Sequence, residues 1–267
     1  MADTDSMTPG FLARMFRLDG QVALIMGGRG ALAEAMAATL ADLGCDIALA
    51  SRREEDCAQL ATRIAARFGR RAIGLRCDIA KEEDVERTVT DVRDRLGGLH
   101  VLVNNAGASW WGLPQDIPLS GWRKVVDVNL TGTFLACRHA ARHMIAAGGG
   151  TIVNIASVGA FISYRPEDGQ VVPYTTSKAA IVHLTQDLAA QWAEHGIRVN
   201  AIAPGSVETG MTETLADDVR AKVVSRILLH RLGQPIEVSG LLAVLASGAG
   251  SFITGQTFVV DGGQSIG

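Results

Sequence analysis

The chain lacks several things, and each lack narrows what it can be. Among its 267 residues no apolar run reaches eighteen, so no membrane-spanning helix is expected. A basic excess is missing: 25 Lys and Arg face 28 Asp and Glu, a formal net charge of −3, which argues against a general nucleic-acid footprint. Only four cysteines occur, at 45, 57, 77 and 137, without a CxxC pair or compact spacing. Reduced, mostly buried thiols in a cytoplasmic protein are expected rather than a disulfide framework. His139 and His143 stand four apart in HAARH, but Ala140 fills the place where a zinc protease needs glutamate. No metal is expected, and the pair reads as a solvated or interface helix face. The N-terminus, MADTDSMTPG, is acidic and polar where a signal peptide is basic and then apolar, so no export is expected.

What is present is a rhythm. Segments 22–26, 46–50, 72–75, 100–103, 151–155, 198–202 and 258–260 are short and apolar or β-branched, without strict alternation, as strands covered on both faces are. Longer stretches with helical periodicity lie between them, for example 31–43 and 175–193, the latter striped by Ile181, Leu184, Leu188 and Trp192. Repeated βα units predict an α/β fold, a doubly wound parallel sheet of about seven strands with helices on both faces. No Pro- or Ser-rich linker divides it, so one domain over 18–267 is expected, preceded by a loose arm over 1–17. Ligands in such a sheet bind beyond the carboxyl ends of the strands.

After the first strand, Gly27, Gly28, Arg29, Gly30, Ala31 and Leu32 open a helix, a turn that brings backbone close to a pyrophosphate at a helix N-terminus. The second strand ends at Ser51, Arg52 and Arg53, where an acidic residue would bind the ribose of NAD. A hydroxyl and a guanidinium there suit the 2′-phosphate of NADP; a basic helix start is the plainer alternative. Beyond the third strand, Asp78 either accepts from the adenine amine, with Ile79 on the ring, or caps the helix starting near Glu82. Asn105, Ala106 and Gly107 follow the fourth strand.

Tyrosine and lysine are scarce, two and four in number, yet Tyr174 and Lys178 stand four apart at a helix start. That spacing puts both on one helix face, where an ammonium is expected to lower the phenol from its usual value of about 10 and ease proton exchange with an alcohol or ketone. Ser157, just after the fifth strand, faces the same carbonyl on this reading.

With these residues in place the chain resembles the short-chain dehydrogenase/reductase family over about residues 18–264, through the 27–33 turn, Asn104-Asn105-Ala106-Gly107, Asn129, Ser157, Tyr174 and Lys178, Pro204-Gly205 and Asp261-Gly262-Gly263. The resemblance implies a Rossmann-type fold with Tyr174 as general acid/base, Ser157 holding the substrate oxygen, Lys178 on the nicotinamide ribose, and Asn129 supporting a water relay to that lysine. It also implies that Pro204, Gly205, Val207 and Thr209 border the nicotinamide, and that the protein is a homo-oligomer, commonly a tetramer. The family's Thr-Gly-x-x-x-Gly-x-Gly turn meets Met26, Gly27, Ala31 and Ala33 here, while Gly28-x-Gly30-x-x-Ala33 fits the general dinucleotide pattern better.

The interval from Ser157 to Tyr174 is longer than the family's common spacing, with the excess in 164–173 reshaping the substrate mouth. Trp110 and Trp111, and a lid over 211–229, are expected to border the pocket, and Arg165 offers a partner for a substrate carboxylate. Stretches 161–166 and 180–185 resemble members acting on sugars, polyols and sugar acids. The expected activity is therefore NADP-dependent (NAD being possible) interconversion of a secondary alcohol and a ketone on such a substrate. Reduction of a 3-oxoacyl thioester is the alternative, and a non-catalytic dinucleotide sensor a third reading.

Overall fold

Strands whose residues are apolar on both faces cannot sit at a surface, and here they form the middle layer of the molecule. The computed structural model describes residue 8 and residues 10–165, 170–210 and 216–267. Its seven strands are β1 (Val22–Met26), β2 (Asp46–Ser51), β3 (Ala72–Arg76), β4 (Val101–Asn104), β5 (Gly150–Ile155), β6 (Ile197–Pro204) and β7 (Thr257–Val260). They pair in parallel in the order β3-β2-β1-β4-β5-β6-β7. The order reverses between β1 and β4, and ligands of such sheets bind at that reversal.

The helices are α1 (Phe11–Phe16), α2 (Ala31–Asp42), α3 (Glu54–Phe68), α4 (Glu82–Leu96), α5 (Leu119–Val126), α6 (Gly132–Ala147), α7 (Val172–Trp192), α8 (Asp217–Ser225) and α9 (Pro235–Ala246). One core cluster packs α4, α6 and α7 on one sheet face through Val89, Ala140 and Leu188. The other packs α2, α3 and α9 on the opposite face through Met36, Leu60 and Leu242. Burying apolar surface on both faces is what makes continuous apolar strands stable at roughly 25 cal/mol per Å².

Strand positions match expectation closely, with β6 running longer at both ends. α7 starts at Val172 rather than Thr175, because Pro173 sits in its first turn, where a missing N–H costs nothing. Two expectations are corrected. The arm expected over 1–17 contains the short helix α1, none of whose residues is buried; residues 1–7 and 9 lie outside the described part. His139 is 4% exposed rather than solvated, next to Arg138 and Glu82, because α6 buries a face broad enough to include it. All four cysteines are buried and free. Among the described residues no three His, Cys, Asp or Glu gather as a metal site, and no helix is long and apolar enough to cross a membrane.

Candidate active site

The glycine turn works by contact and by openness at different positions. Gly27 and Gly28 both donate to the Ala50 carbonyl, at 2.8 and 3.0 Å, which pins the turn to β2. A Cβ at Gly27, where φ is 79°, would lie 2.5 Å from the Ala106 nitrogen, so only glycine fits. A Cβ at Gly28 would lie 2.8 Å from the Ala50 nitrogen. Gly30, at the N-cap of α2, has no atom within 4 Å of such a Cβ and leaves the helix N-terminus approachable. Ala33 is fully buried where α2 meets the sheet, while Ala31 is exposed and Leu32 half-buried. Gly27 belongs to the family register, and Gly28, Gly30 and Ala33 to the general dinucleotide pattern. Asn105 ties β4 to the turn, its Nδ2 donating 2.8 Å to the Gly27 carbonyl.

At the end of β2 the Ser51 hydroxyl is engaged locally. It donates to the Arg53 carbonyl (3.0 Å) and accepts from the Arg53 N–H and the Cys57 thiol. Arg53 pairs with Asp56, and Arg29 approaches the same carboxylate at 3.8 Å. Arg52 is exposed and makes no hydrogen bond or ion pair with the described residues. Asp78 does not cap α4, whose cap is Lys81; its carboxylate accepts the Ala80 N–H, turning the chain ahead of that helix. Ile79 is buried against Gly132 in the core.

The chemical end lies beyond β5. Ser157 has extended backbone and its Oγ accepts the Gly159 N–H at 3.1 Å, starting a 3-10 turn over Val158–Ala160. Tyr174 lies in the first turn of α7, where burial raises its phenol while the neighbouring Ser157 hydroxyl partly opposes the rise. Lys178 is 4% exposed, and its Nζ donates to the Ile155 carbonyl at 2.6 Å, 5.7 Å from the Tyr174 ring centroid. Burial pushes the lysine down to about 8. The expected lowering of Tyr174 by the ammonium is thus corrected. Desolvation of the phenol wins, and the lysine's own charge is disfavoured by the same burial.

Asn129 is buried in a π-helical turn (Asp127–Thr131) between α5 and α6, a backbone irregularity frequent at functional sites. Its Nδ2 donates to Ser177 Oγ and to the Ala108 carbonyl, both at 2.9 Å, and its Oδ1 accepts the Ala108 N–H. A Cβ at Gly107 would meet only Asn129 Oδ1 at 3.9 Å and Lys178 Nζ at 4.0 Å, so open space borders the lysine there. Pro204 ends β6. The Gly205 N–H donates to Val260, and a Cβ at Gly205 would lie 2.6 Å from that of Asp261, so the C-terminal turn braces this loop. Val207 pairs with Gly233 in a parallel bridge, and half-buried Thr209 follows.

The family model that matches, over residues 28–265, is the short-chain dehydrogenase model described as enoyl-(acyl carrier protein) reductase. The chain is 35% identical to the 3-oxoacyl-[acyl-carrier-protein] reductase FabG of Aquifex aeolicus, covering 93% of this chain and 98% of that protein. It is 38% identical to the galactitol 2-dehydrogenase of Rhizobium johnstonii, covering 93% and 96%. A gluconate 5-dehydrogenase from Burkholderia cenocepacia, solved with NADP and tartrate, superposes with a TM-score of 0.90 at 34% identity, covering 96% of this chain and 99% of that one. The chain belongs to the short-chain dehydrogenase/reductase family. It is an oxidoreductase acting on alcohol or ketone groups.

Within this short-chain dehydrogenase/reductase the residues expected at the mouth are spread out. Trp110 is half-buried against α5, with Lys124 5.6 Å from its ring and no room for a Cβ at Gly121. Trp111 is 70% exposed. Arg165 is exposed and makes no bond to a described residue. Of the mouth segment 164–173, residues 166–169 lie outside the described part, as do 211–215 of the lid; α8 occupies the lid's remainder, its Arg220 paired with Glu208. Two supporting residues escaped the sequence reading. Ser177, between the motif's tyrosine and lysine, holds Asn129, and Gln264, nearly sixty residues away, accepts the Ser206 N–H at 2.9 Å. Ser177 carried a signal as a polar residue on a helix stripe that otherwise reads as apolar; Gln264 carried none.

Proposed function

We propose that the chain is an NADP-preferring enzyme that interconverts a secondary alcohol and a ketone on a ketose, polyol or sugar acid. The observation that carries this is the convergence of Ser157, Tyr174 and Lys178, with the lysine fixed on the Ile155 carbonyl. The approachable N-terminus of α2 at Gly30, the open space at Gly107 and the unpaired Arg52 fit a phosphorylated dinucleotide. Gly27, Arg29, Gly30, Ala31 and Leu32 would hold the pyrophosphate and Ser51, Arg52 and Arg53 the 2′-phosphate. Asp78 and Ile79 would flank the adenine, Asn105, Ala106 and Gly107 would border the crevice as far as Lys178, and Pro204, Gly205, Val207 and Thr209 the nicotinamide side. That group, when bound, supplies or receives the hydride.

The chain's own residues manage the proton. Ser157 orients the substrate oxygen, and Tyr174, whose phenol burial keeps on the protonated side, donates to a carbonyl oxygen as negative charge develops there. In the reverse direction the same phenol must first lose its proton, so oxidation gains from rising pH. Lys178 binds ribose hydroxyls and, with Asn129, passes the proton outward through water. The galactitol and gluconate dehydrogenases among the relatives support the polyhydroxylated substrate. A 3-oxoacyl thioester is the second reading, favoured by the equally extensive match to FabG. The family resemblance also supports a homotetramer, with α7 and residues 261–267 at its interfaces, working in the cytoplasm.

Steady-state assays of sugars, polyols, keto acids and an acetoacetyl thioester with both dinucleotides test the reading. Turnover of a polyol or sugar acid with NADP(H) is the expected result. Exclusive thioester turnover replaces the substrate reading, and dinucleotide binding without turnover on any carbonyl replaces catalysis with sensing.

A further inference from the structure

The extended segment between the 3-10 turn and α7 alternates in exposure. Phe161, Ser163 and Arg165 face solvent, while Ile162 and Tyr164 turn towards the protein. The residue delivered inward beside the catalytic group is therefore Tyr164. Gly159 is the point where they meet. A Cβ placed there would lie 3.5 Å from Ser157 Oγ, 3.6 Å from Tyr164 Cε2 and 3.2 Å from Thr175 Cγ2, so Ser157, the edge of the Tyr164 ring and Thr175 border the same space over Gly159.

Tyr164 also lines a cavity of about 300 Å³ together with Gly159, Ser163, Val171, Thr175 and Thr176. Ser157, Tyr174 and Lys178 are not on its lining, so the cavity adjoins the reacting centre at Gly159 and has room for the part of a small substrate beyond the reacting carbon. Burial raises the Tyr164 phenol, and a negative charge on Tyr174, once that group ionises, raises it further, with Arg226 opposing. Both tyrosines of this chain thus share one neighbourhood, and Tyr164 stays a neutral hydrogen-bond donor at neutral pH.

We infer that Tyr164 is a specificity-determining residue whose hydroxyl, across Gly159 from Ser157, hydrogen-bonds a second oxygen of the substrate near the reacting carbon and so selects vicinal polyols over simple alcohols. This rests on the proposed polyol reading. Ser157 and Tyr174 serve the reacting oxygen. A phenol several ångströms further along serves the next one. A partly buried phenol that loses its substrate partner must be desolvated without compensation, and sites built to hydrogen-bond a hydroxyl reject analogues lacking it strongly.

The experiment compares wild type with Tyr164→Phe on C4–C6 polyols, on secondary mono-alcohols of the same length and on an acetoacetyl thioester, with cofactor affinity and melting temperature measured on both proteins. The expected result is a KM for polyols raised roughly 10- to 100-fold with kcat nearly kept, and mono-alcohol kinetics unchanged or improved, since Phe leaves no phenol unpaired. The pH profile of kcat on mono-alcohols should not move, because Tyr164 carries no proton in the reaction. Losses equal on both alcohol classes, or none on polyols, overturn the inference while the polyol reading stands. A wild type that turns over the thioester and no polyol removes both.

Discussion

The two ends of the crevice are built from different materials. At the nucleotide end, between β1 and β2, contact is made by backbone: Gly27 and Gly28 are fixed by their N–H bonds to Ala50, and Gly30 is left open. At the chemical end, beyond β5, buried side chains do the holding, with Lys178 on Ile155 and Asn129 between Ala108 and Ser177. Backbone geometry tolerates changed side chains, which is how Met26, Ala31 and Ala33 can replace the family's threonine and glycines while the turn keeps its shape. Buried side chains tolerate little, since each is both a hydrogen-bond partner and a desolvated group. Substitutions at the chemical end should therefore act on turnover, and those at the nucleotide end on affinity.

The largest expected effect is at Tyr174. Tyr174→Phe keeps the ring and removes the hydroxyl beside Ser157, and should lower kcat by roughly 100- to 10,000-fold with cofactor affinity little changed. Lys178→Ala should impair both, as its ammonium is proposed to serve both. Near-normal turnover by folded, cofactor-saturated Tyr174→Phe would break the contrast at its strongest point.

Next comes Arg52, exposed and unpaired at the end of β2. Arg52→Asp replaces a bidentate phosphate partner with a repelling charge and should weaken NADP by roughly 2–4 kcal/mol while affecting NAD less. Steady-state kinetics with each dinucleotide give the ratio, and an unchanged ratio removes Arg52 from the site.

How much of this was legible beforehand follows the same division. All seven strands were visible because continuous apolar runs between glycine turns leave few alternatives. The spacing of Tyr174 and Lys178 was visible because an i, i+4 pair on a helix fixes a shared face. Invisible were the π-helical turn at Asn129, which depends on packing between α5 and α6, and the helix α1, too short and exposed to leave a periodic pattern. The direction of the Tyr174 shift was misjudged because a sequence shows which charges are near and not how dry the site is.

A smaller effect tests that dryness directly. Lys178 is held at about 8 in the fold against an ordinary value of 10.5. Below about pH 8 both folded and unfolded lysine are charged, and the fold bears the full burial cost. Between about 8 and 10.5 the unfolded lysine keeps its proton while the folded one loses it, so stability rises with pH by up to about 1.4 kcal/mol per unit. Lys178→Met lacks this gain. Urea unfolding at pH 7, 8.5 and 9.5 should show wild type gaining on the variant, and parallel curves would mean the ammonium is better solvated than its position on Ile155 implies.

The smallest expected effect separates Arg165 from its neighbour Tyr164. Arg165 points outward at the rim, where ion pairs are screened by water and salt and contribute about 0–1 kcal/mol. If it steers acidic substrates, Arg165→Ala should raise KM for sugar acids by no more than about fivefold, leave neutral polyols unchanged, and lose its effect at high ionic strength. Tyr164→Phe should differ by acting on sugar acids and neutral polyols alike, since both carry vicinal hydroxyls, and by being indifferent to salt. Measured side by side on gluconate and galactitol, the two variants divide the mouth into an outer electrostatic rim and an inner hydrogen-bonding wall. Equal losses on both substrates from Arg165→Ala would instead make this arginine a support for the segment that carries Tyr164, and place all discrimination on the inner residue.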